Sequence, residues 1–203
     1  MERFITLETK AIALPQANVD TDQLIPARFL KQPRSLGYGS FLLHDLRRAE
    51  SGGLRDNPLD DPSRAGGALL IARRNFGCGS SREGAVYALQ DFGIRCVAAP
   101  SFGDIFASNA VKNGLLPAQV SEADAEALLT SPAIAGGIQV RVDLLAQTIV
   151  AGNLVAPFVI DPVWKTQLLN GWDDVDLTRT EKGKIESFRA RDAAARPWAA
   201  PEA

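Results

Sequence analysis

The run from Ala68 to Ala98 constrains the fold more than any other part of the chain. It opens on an apolar stretch, Ala68-Leu69-Leu70-Ile71-Ala72, and closes on another, Ile94-Arg95-Cys96-Val97-Ala98. Between them lies Asn75 to Phe92, NFGCGSSREGAVYALQDF, a glycine-broken turn that runs into a helix. From Ser81 onward, Ala85, Ala88, Leu89 and Phe92 fall at i, i+3, i+4 and i+7, an apolar stripe on one helical face. Strand, polar loop, helix and strand in that order make a βαβ unit. Ser80 or Ser81 is placed to cap the helix, and Glu83 lies in its first turn, where negative charge is favoured.

The loop itself carries chemistry. Gly77 and Gly79 flank Cys78 and permit positive φ and close approach of backbone to a ligand. No lysine follows, so this is not GxxxxGK[ST], and the third glycine of GxGxxG is missing. Ser80, Ser81 and Arg82 suit a carboxylate, because arginine grips one bidentately and the hydroxyls add donors. A serine there could also act as a base, provided that the helix N-terminus and Arg82 stabilise its alkoxide. A capped helix after a tight turn accounts for the same residues without any ligand.

GSSRE, preceded by NFGC and followed by APSFGDIFASNAVKNGLLP, resembles the small-subunit family of isopropylmalate dehydratases, within the aconitase superfamily of hydro-lyases. Asn18 to Pro26, NVDTDQLIP, resembles that family's NVDTDxIIP segment, and matched pieces run from near Lys10 to near Thr180. The resemblance implies an α/β fold: a three-layer β/β/α aconitase-type swivelling domain with a mixed sheet. It implies one subunit of a heteromeric hydro-lyase that interconverts 2-isopropylmalate and 3-isopropylmalate in leucine biosynthesis. By the same resemblance Ser80 is the catalytic base, while Ser81 and Arg82 bind a substrate carboxylate. Arg28 is then a second substrate-binding arginine, with a solvated surface charge as the alternative. The segment Lys31 to Gly39, with Lys31, Arg34, Ser35 and Leu36, covers the substrate's side group and sets selectivity. An iron–sulfur cluster (4Fe-4S) on the large subunit acts as Lewis acid on the leaving hydroxyl. One departure stands out: relatives carry His after GSSRE, and this chain has Gly84. That leaves two alternatives open. The chain could act on another small dicarboxylate, such as methylmalate or citraconate, or be a non-catalytic anion-binding module. A thiol hydrolase using Cys78 would need His44, the only histidine, as its base.

Composition narrows the class further. The 203 residues suffice for one substantial core, read as a single domain over 1–203. A net charge of −2 gives no basic footprint for nucleic acid. No apolar run approaches the roughly 18 residues that a membrane span needs, and charges break the opening MERFITLETK, which argues against a signal peptide. A cytoplasmic protein is expected. Cys78 and Cys96 fit a reducing compartment, and two thiols fall short of a cluster's usual four, so no metal is expected on this chain.

The remaining expectations run along the chain. Phe4–Leu7 and Ala11–Leu14 read as strands around a turn at Thr9-Lys10. Asn18 to Asp22 reads as a loop folded on its own side-chain hydrogen bonds rather than a calcium loop. Pro26 opens a short helical turn. Phe41 to Ala49 reads as a helix bearing His44, and Glu50 to Gly67 as a flexible surface excursion. A second helix opens at Pro100, with Phe102, Ile105, Phe106 and Asn109 on one side and Gly114 as its stop. A strand near Ala118–Val120 and a capping box at Ser121 follow. Gly137–Asp143 and Thr148–Val150 form a hairpin, and Leu154 to Ile160 is another strand. Asp161-Pro162 opens a helix ended by Gly171. Thr178 to Ala195 is one charged helix, with a frayed tail after Arg196.

Overall fold

The computed structural model describes residues 1–199. Its strands are β1 (Thr6–Leu14), β2 (Leu69–Ala72), β3 (Cys96–Ala99), β4 (Leu116–Val120), β5 (Gln139–Asp143), β6 (Thr148–Ala151) and β7 (Leu154–Val159). They close into a barrel in the order β1-β2-β3-β4-β7-β6-β5. β1 through β4 pair in parallel, and every other neighbouring pair is antiparallel. The sheet is therefore mixed, as expected. The two expected strands at the N-terminus are one unbroken strand, with no turn at Thr9-Lys10. Its halves serve different partners: Thr6 to Lys10 pair antiparallel with β5, and Ala11 to Leu14 pair parallel with β2. The change of partner, not a turn, breaks the sequence pattern there.

Nine helices occur among the described residues: α1 (Thr21–Leu24), α2 (His44–Arg47), α3 (Gly84–Phe92), α4 (Asp104–Lys112), α5 (Glu122–Leu129), α6 (Pro132–Ala135), α7 (Pro162–Asn170), α8 (Asp174–Arg179) and α9 (Lys182–Ala195). Two cores follow from strand alternation. Leu69, Ile71, Cys96, Ala98, Leu116 and Ala118 point into the barrel, against Val140, Val142, Ile149, Ala156 and Phe158 of the antiparallel strands. Leu70, Ala72, Val97 and Ala99 point outward, against Ala85, Ala88 and Leu89 of α3 and Phe106 and Ala110 of α4. Strands buried on both faces read as continuous apolar runs, which is what β2 and β3 show. Antiparallel sheet, parallel sheet and helices thus stack as β/β/α. α5 packs on β1, β2, β3 and β7 and buries Ala125 and Leu128 against the barrel core.

The helix expected over Phe41 to Ala49 shrinks to the single turn α2. Leu43 sits at φ 48 and its N–H donates to the Leu24 carbonyl at 3.1 Å, so the backbone cannot run helically through it. Ile105 lies 53% exposed, off the buried side of α4 that Phe106, Ala107, Ala110 and Val111 form. The single helix expected from Thr178 breaks at Thr180-Glu181 into α8 and α9, neither of which buries a residue. The excursion from Glu50 is pinned midway: Leu59 is buried, and buried Arg47 donates to both Asp60 oxygens at 2.8 and 2.5 Å. The tail after Arg196 forms a short 3-10 turn at Pro197–Ala199, and the rest of it lies outside the described residues.

Ile71 is fully enclosed within the barrel. Ile71→Ala is expected to cost about 2–5 kcal/mol, read as a lower urea midpoint with unchanged slope. A midpoint shift equivalent to less than about 0.5 kcal/mol, the range of surface substitutions, would show that the barrel interior is not the packed core.

Candidate functional site

β2 delivers the chain to the loop Asn75–Glu83, and two neighbouring segments hold it there. The Gly77 N–H donates to the Val19 carbonyl at 2.7 Å, and the Thr21 N–H donates to the Cys78 carbonyl at 2.9 Å. The Thr21 hydroxyl donates to the Ser80 carbonyl at 3.1 Å. On the other side the Phe76 N–H donates to the Ser101 carbonyl at 3.0 Å, and the Gly103 N–H to the Phe76 carbonyl at 2.9 Å. The loop is therefore laced between the NVDTD segment and the start of α4.

Glycine is required at two of these positions. Gly77 has φ 72, and a Cβ on it would come within 2.6 Å of both Cδ atoms of Phe106. A Cβ on Gly103 would lie 2.6 Å from the Gly77 carbonyl oxygen. No side chain fits where these two backbones meet.

The NVDTD segment makes the local side-chain hydrogen bonds expected of it, but it is not a loop throughout: α1 opens at Thr21. Asp20 caps α1 by accepting from the Gln23 N–H at 2.7 Å, and Gln23 Oε1 accepts from the Asp20 N–H at 3.0 Å.

The helix expected from Ser81 begins only at Gly84, and Glu83 at its cap makes no side-chain capping bond. Neither serine is a cap. The Arg82 N–H turns back to the Ser80 carbonyl at 2.8 Å, which delays the helix. Among the described residues, the hydroxyls of Ser80 and Ser81 and the N–H groups of Gly79, Ser80 and Ser81 make no hydrogen bond. Both serines are exposed, beside half-buried Arg82. Ser80 borders a depression of about 170 Å³ lined also by Gly77, Gly79, Gly103, Asp104, Ile105 and Phe106. Free hydroxyls and free N–H groups beside a guanidinium are the elements of an anion-binding corner.

Arg82 is not alone. Its Nη1 donates to Asp22 Oδ1, and this bond, the largest influence on either group, holds the Asp22 carboxyl below its usual range and raises Arg82. Sequence reasoning passed over Asp22, because its partner lies across a long chain separation.

The other expected site residues are held by partners of their own. Arg28 follows Pro26 in a 3-10 turn, Ala27–Lys31, and pairs with both Asp45 oxygens, with Nη1 at 2.9 Å from Oδ2. It stacks over Phe29 at 4.6 Å and, with His44, Arg48 and Arg55, borders a second depression of about 740 Å³. Lys31, Ser35 and Leu36 are exposed. Arg34 is anchored: it donates to both Asp91 oxygens, lies 4.5 Å over the Tyr87 ring, and shares Asp91 with the Tyr38 N–H at 2.6 Å. The segment Lys31–Gly39 is thus clasped to the outer face of α3. Leu30 packs where a side chain at position 84 would sit, since a Cβ on Gly84 would meet its Cδ2 at 2.7 Å.

The cysteines do not suit an iron–sulfur cluster. Cys96 is fully enclosed in the barrel, where burial pushes its thiol far up, and Cys78 stands apart in the serine loop. Among the described residues no helix is long and apolar enough to cross a membrane.

Comparison with known proteins adds to this geometry. Residues 1–123 match the family described as the Aconitase C-terminal domain. The 3-isopropylmalate dehydratase small subunit of Rhodospirillum centenum is 44% identical over 202 residues, covering 98% of this chain and 99% of that one. That of Afipia carboxidovorans is 44% identical over 98% of this chain and 100% of its own length. That of Shouchella clausii is 42% identical over 96% and 98%. The crystal structure of 3-isopropylmalate dehydratase from Methanocaldococcus jannaschii superposes with a TM-score of 0.65 at 27% identity, covering 91% of this chain and 99% of that one.

The pairing of Arg28 with Asp45 is open to a direct test. The Arg28 hydrogen bond, with help from His44, lowers the Asp45 carboxyl from 3.8 to about 2. A depressed carboxyl stabilises the fold when ionised, so its contribution is complete above 3.8 and disappears as pH falls through about 2. Carbon NMR of the Asp45 carboxyl is expected to show a midpoint near 2, rising toward 3.8 in Arg28→Ala. A wild-type midpoint at 3.8 would show that the pair does not persist in solution.

Proposed function

This chain belongs to the family of 3-isopropylmalate dehydratase small subunits, and from that membership and its serine–arginine corner we propose how it takes part in the reaction. It is the small subunit of a hydro-lyase that interconverts 2-isopropylmalate and 3-isopropylmalate by loss and readdition of water, in leucine biosynthesis. A larger subunit completes the enzyme. The observation that carries the residue roles is the pair of unpartnered hydroxyls at Ser80 and Ser81, exposed beside Arg82.

Ser80 acts as the base. Its alkoxide takes the proton from the carbon beside a substrate carboxylate, the C–H electron pair becomes the double bond, and the hydroxyl on the neighbouring carbon leaves with its bonding pair as hydroxide. Readdition of water in the opposite sense, with Ser80 returning its proton, completes the isomerisation. The Arg82 charge and the free N–H groups of Gly79 and Ser81 lower the cost of the alkoxide. Arg82 and Ser81 bind a carboxylate of the substrate. Arg28 supplies a further cation at the edge of the site. The segment Lys31–Gly39, clasped to α3 through Arg34 and Asp91, presents Lys31, Ser35 and Leu36 toward the substrate's side group. The 4Fe-4S cluster belongs to the larger subunit, since this chain's cysteines cannot assemble it. The enzyme works in the cytoplasm, where both thiols stay reduced.

Gly84 favours a second reading of the substrate. Leu30 occupies the space a larger residue there would fill, which reshapes the floor beneath the selectivity segment. A dicarboxylate with another side group, such as citraconate, is then turned over in preference to isopropylmalate. Comparing kcat/KM for the two substrates decides between them.

Ser80→Ala in the assembled enzyme is expected to lose at least about 100-fold in kcat while the subunits still associate. Turnover within about tenfold of wild type would remove Ser80 from the role of base.

A further inference from the structure

We propose that Asp22 is a positioning residue for Arg82, holding the guanidinium so that its free edge meets the substrate carboxylate. The proposal rests on the reading that Arg82 binds that carboxylate.

Asp22 is fixed from both sides. It lies in α1, whose capping box joins Asp20 to Gln23, and the preceding residue, Thr21, is bonded through its N–H and its hydroxyl to the carbonyls of Cys78 and Ser80. The turn that carries Asp22 and the loop that carries Arg82 therefore move as one piece. Arg82 offers two edges, and Asp22 takes only Nη1. Nε and Nη2 have no hydrogen-bond partner among the described residues. Those two N–H groups are the fork that receives a carboxylate bidentately. The burial of the pair fits this arrangement: the Arg82 side chain is 22% exposed and laid against the protein, while Asp22 is 56% exposed at its rim. An unheld arginine would sample many rotamers, and each productive encounter would have to order it anew.

A positioning role and a competing role differ in sign. If Asp22 blocked Arg82, its removal would tighten substrate binding; if it aims Arg82, its removal loosens binding, while the guanidinium charge stays beside Ser80 and the proton transfer is little changed. The experiment uses the complete enzyme, this chain with its large subunit, and measures kcat and KM for 3-isopropylmalate with Asp22→Ala, Asp22→Asn, Asp22→Glu and Arg82→Ala. Thermal melting and co-purification monitor folding and assembly of each variant. Asp22→Ala is expected to raise KM about three- to tenfold with kcat within about twofold, since misplaced binding groups weaken substrate capture. Asp22→Glu, which keeps the carboxylate, is expected to recover part of the loss, and Asp22→Asn to fall between. An unchanged or lowered KM in Asp22→Ala, with Arg82→Ala raising KM, overturns the role of Asp22 alone. An unchanged KM in Arg82→Ala overturns the reading of Arg82 and this proposal with it.

Discussion

Two backbones meet at Gly77 and Gly103 with no room for a side chain on either, and the site depends on that contact. Phe106 closes the gap from α4, packing edge-on against Phe76 at 5.4 Å and parallel to Phe102 at 6.3 Å. The three rings and the two glycines fix where the serine loop leaves the barrel. The loop then turns through Gly79 at φ 96, which brings Ser80 and Ser81 to the surface with their hydroxyls free. A tighter route into α3 would have used those hydroxyls as caps. The energy of close packing thus holds open a polar corner that local hydrogen bonding would otherwise satisfy.

The barrel makes this possible by burying its parallel strands on both faces. One face fills the interior and the other seats α3 and α4, so the loop after β2 emerges between two helices already held in place. Around that fixed corner the charged side chains are organised in acid–base pairs: Arg82 with Asp22, Arg34 with Asp91, Arg28 with Asp45. Exposed pairs of this kind add little to stability, so their value is in geometry. Arg82 is held beside the corner by Asp22, and Arg34 by Asp91 in the clasp that holds the segment Lys31–Gly39 on α3.

Much of this was legible in the sequence. The βαβ unit, the hairpin of β5 and β6 and the caps at Ser121 and Asp161 each rest on a local period or a cap within four residues, and each is present. The serine–arginine corner was legible as a motif. Its surroundings were not, because Asp22 lies 60 residues from Arg82 and Asp91 lies 57 from Arg34. Pairs so distant leave no periodic trace. The false helix over Phe41 to Ala49 has the converse cause: its apolar spacing is real, but Leu42 and Leu43 reach the core from a turn at positive φ. β1 misled for a similar reason, as one strand that changes partner halfway.

The most direct test of the glycine contact is the turnover of the assembled enzyme carrying Gly77→Ala, alone and combined with Phe106→Ala. The single change is expected to lower kcat at least about tenfold, because a displacement of about an ångström at reacting groups costs that much or more. Shortening Phe106 removes the ring with which the new methyl collides, so the double variant should regain part of the lost rate. Wild-type turnover in Gly77→Ala would contradict the account, since the corner would then keep its geometry without the contact said to fix it.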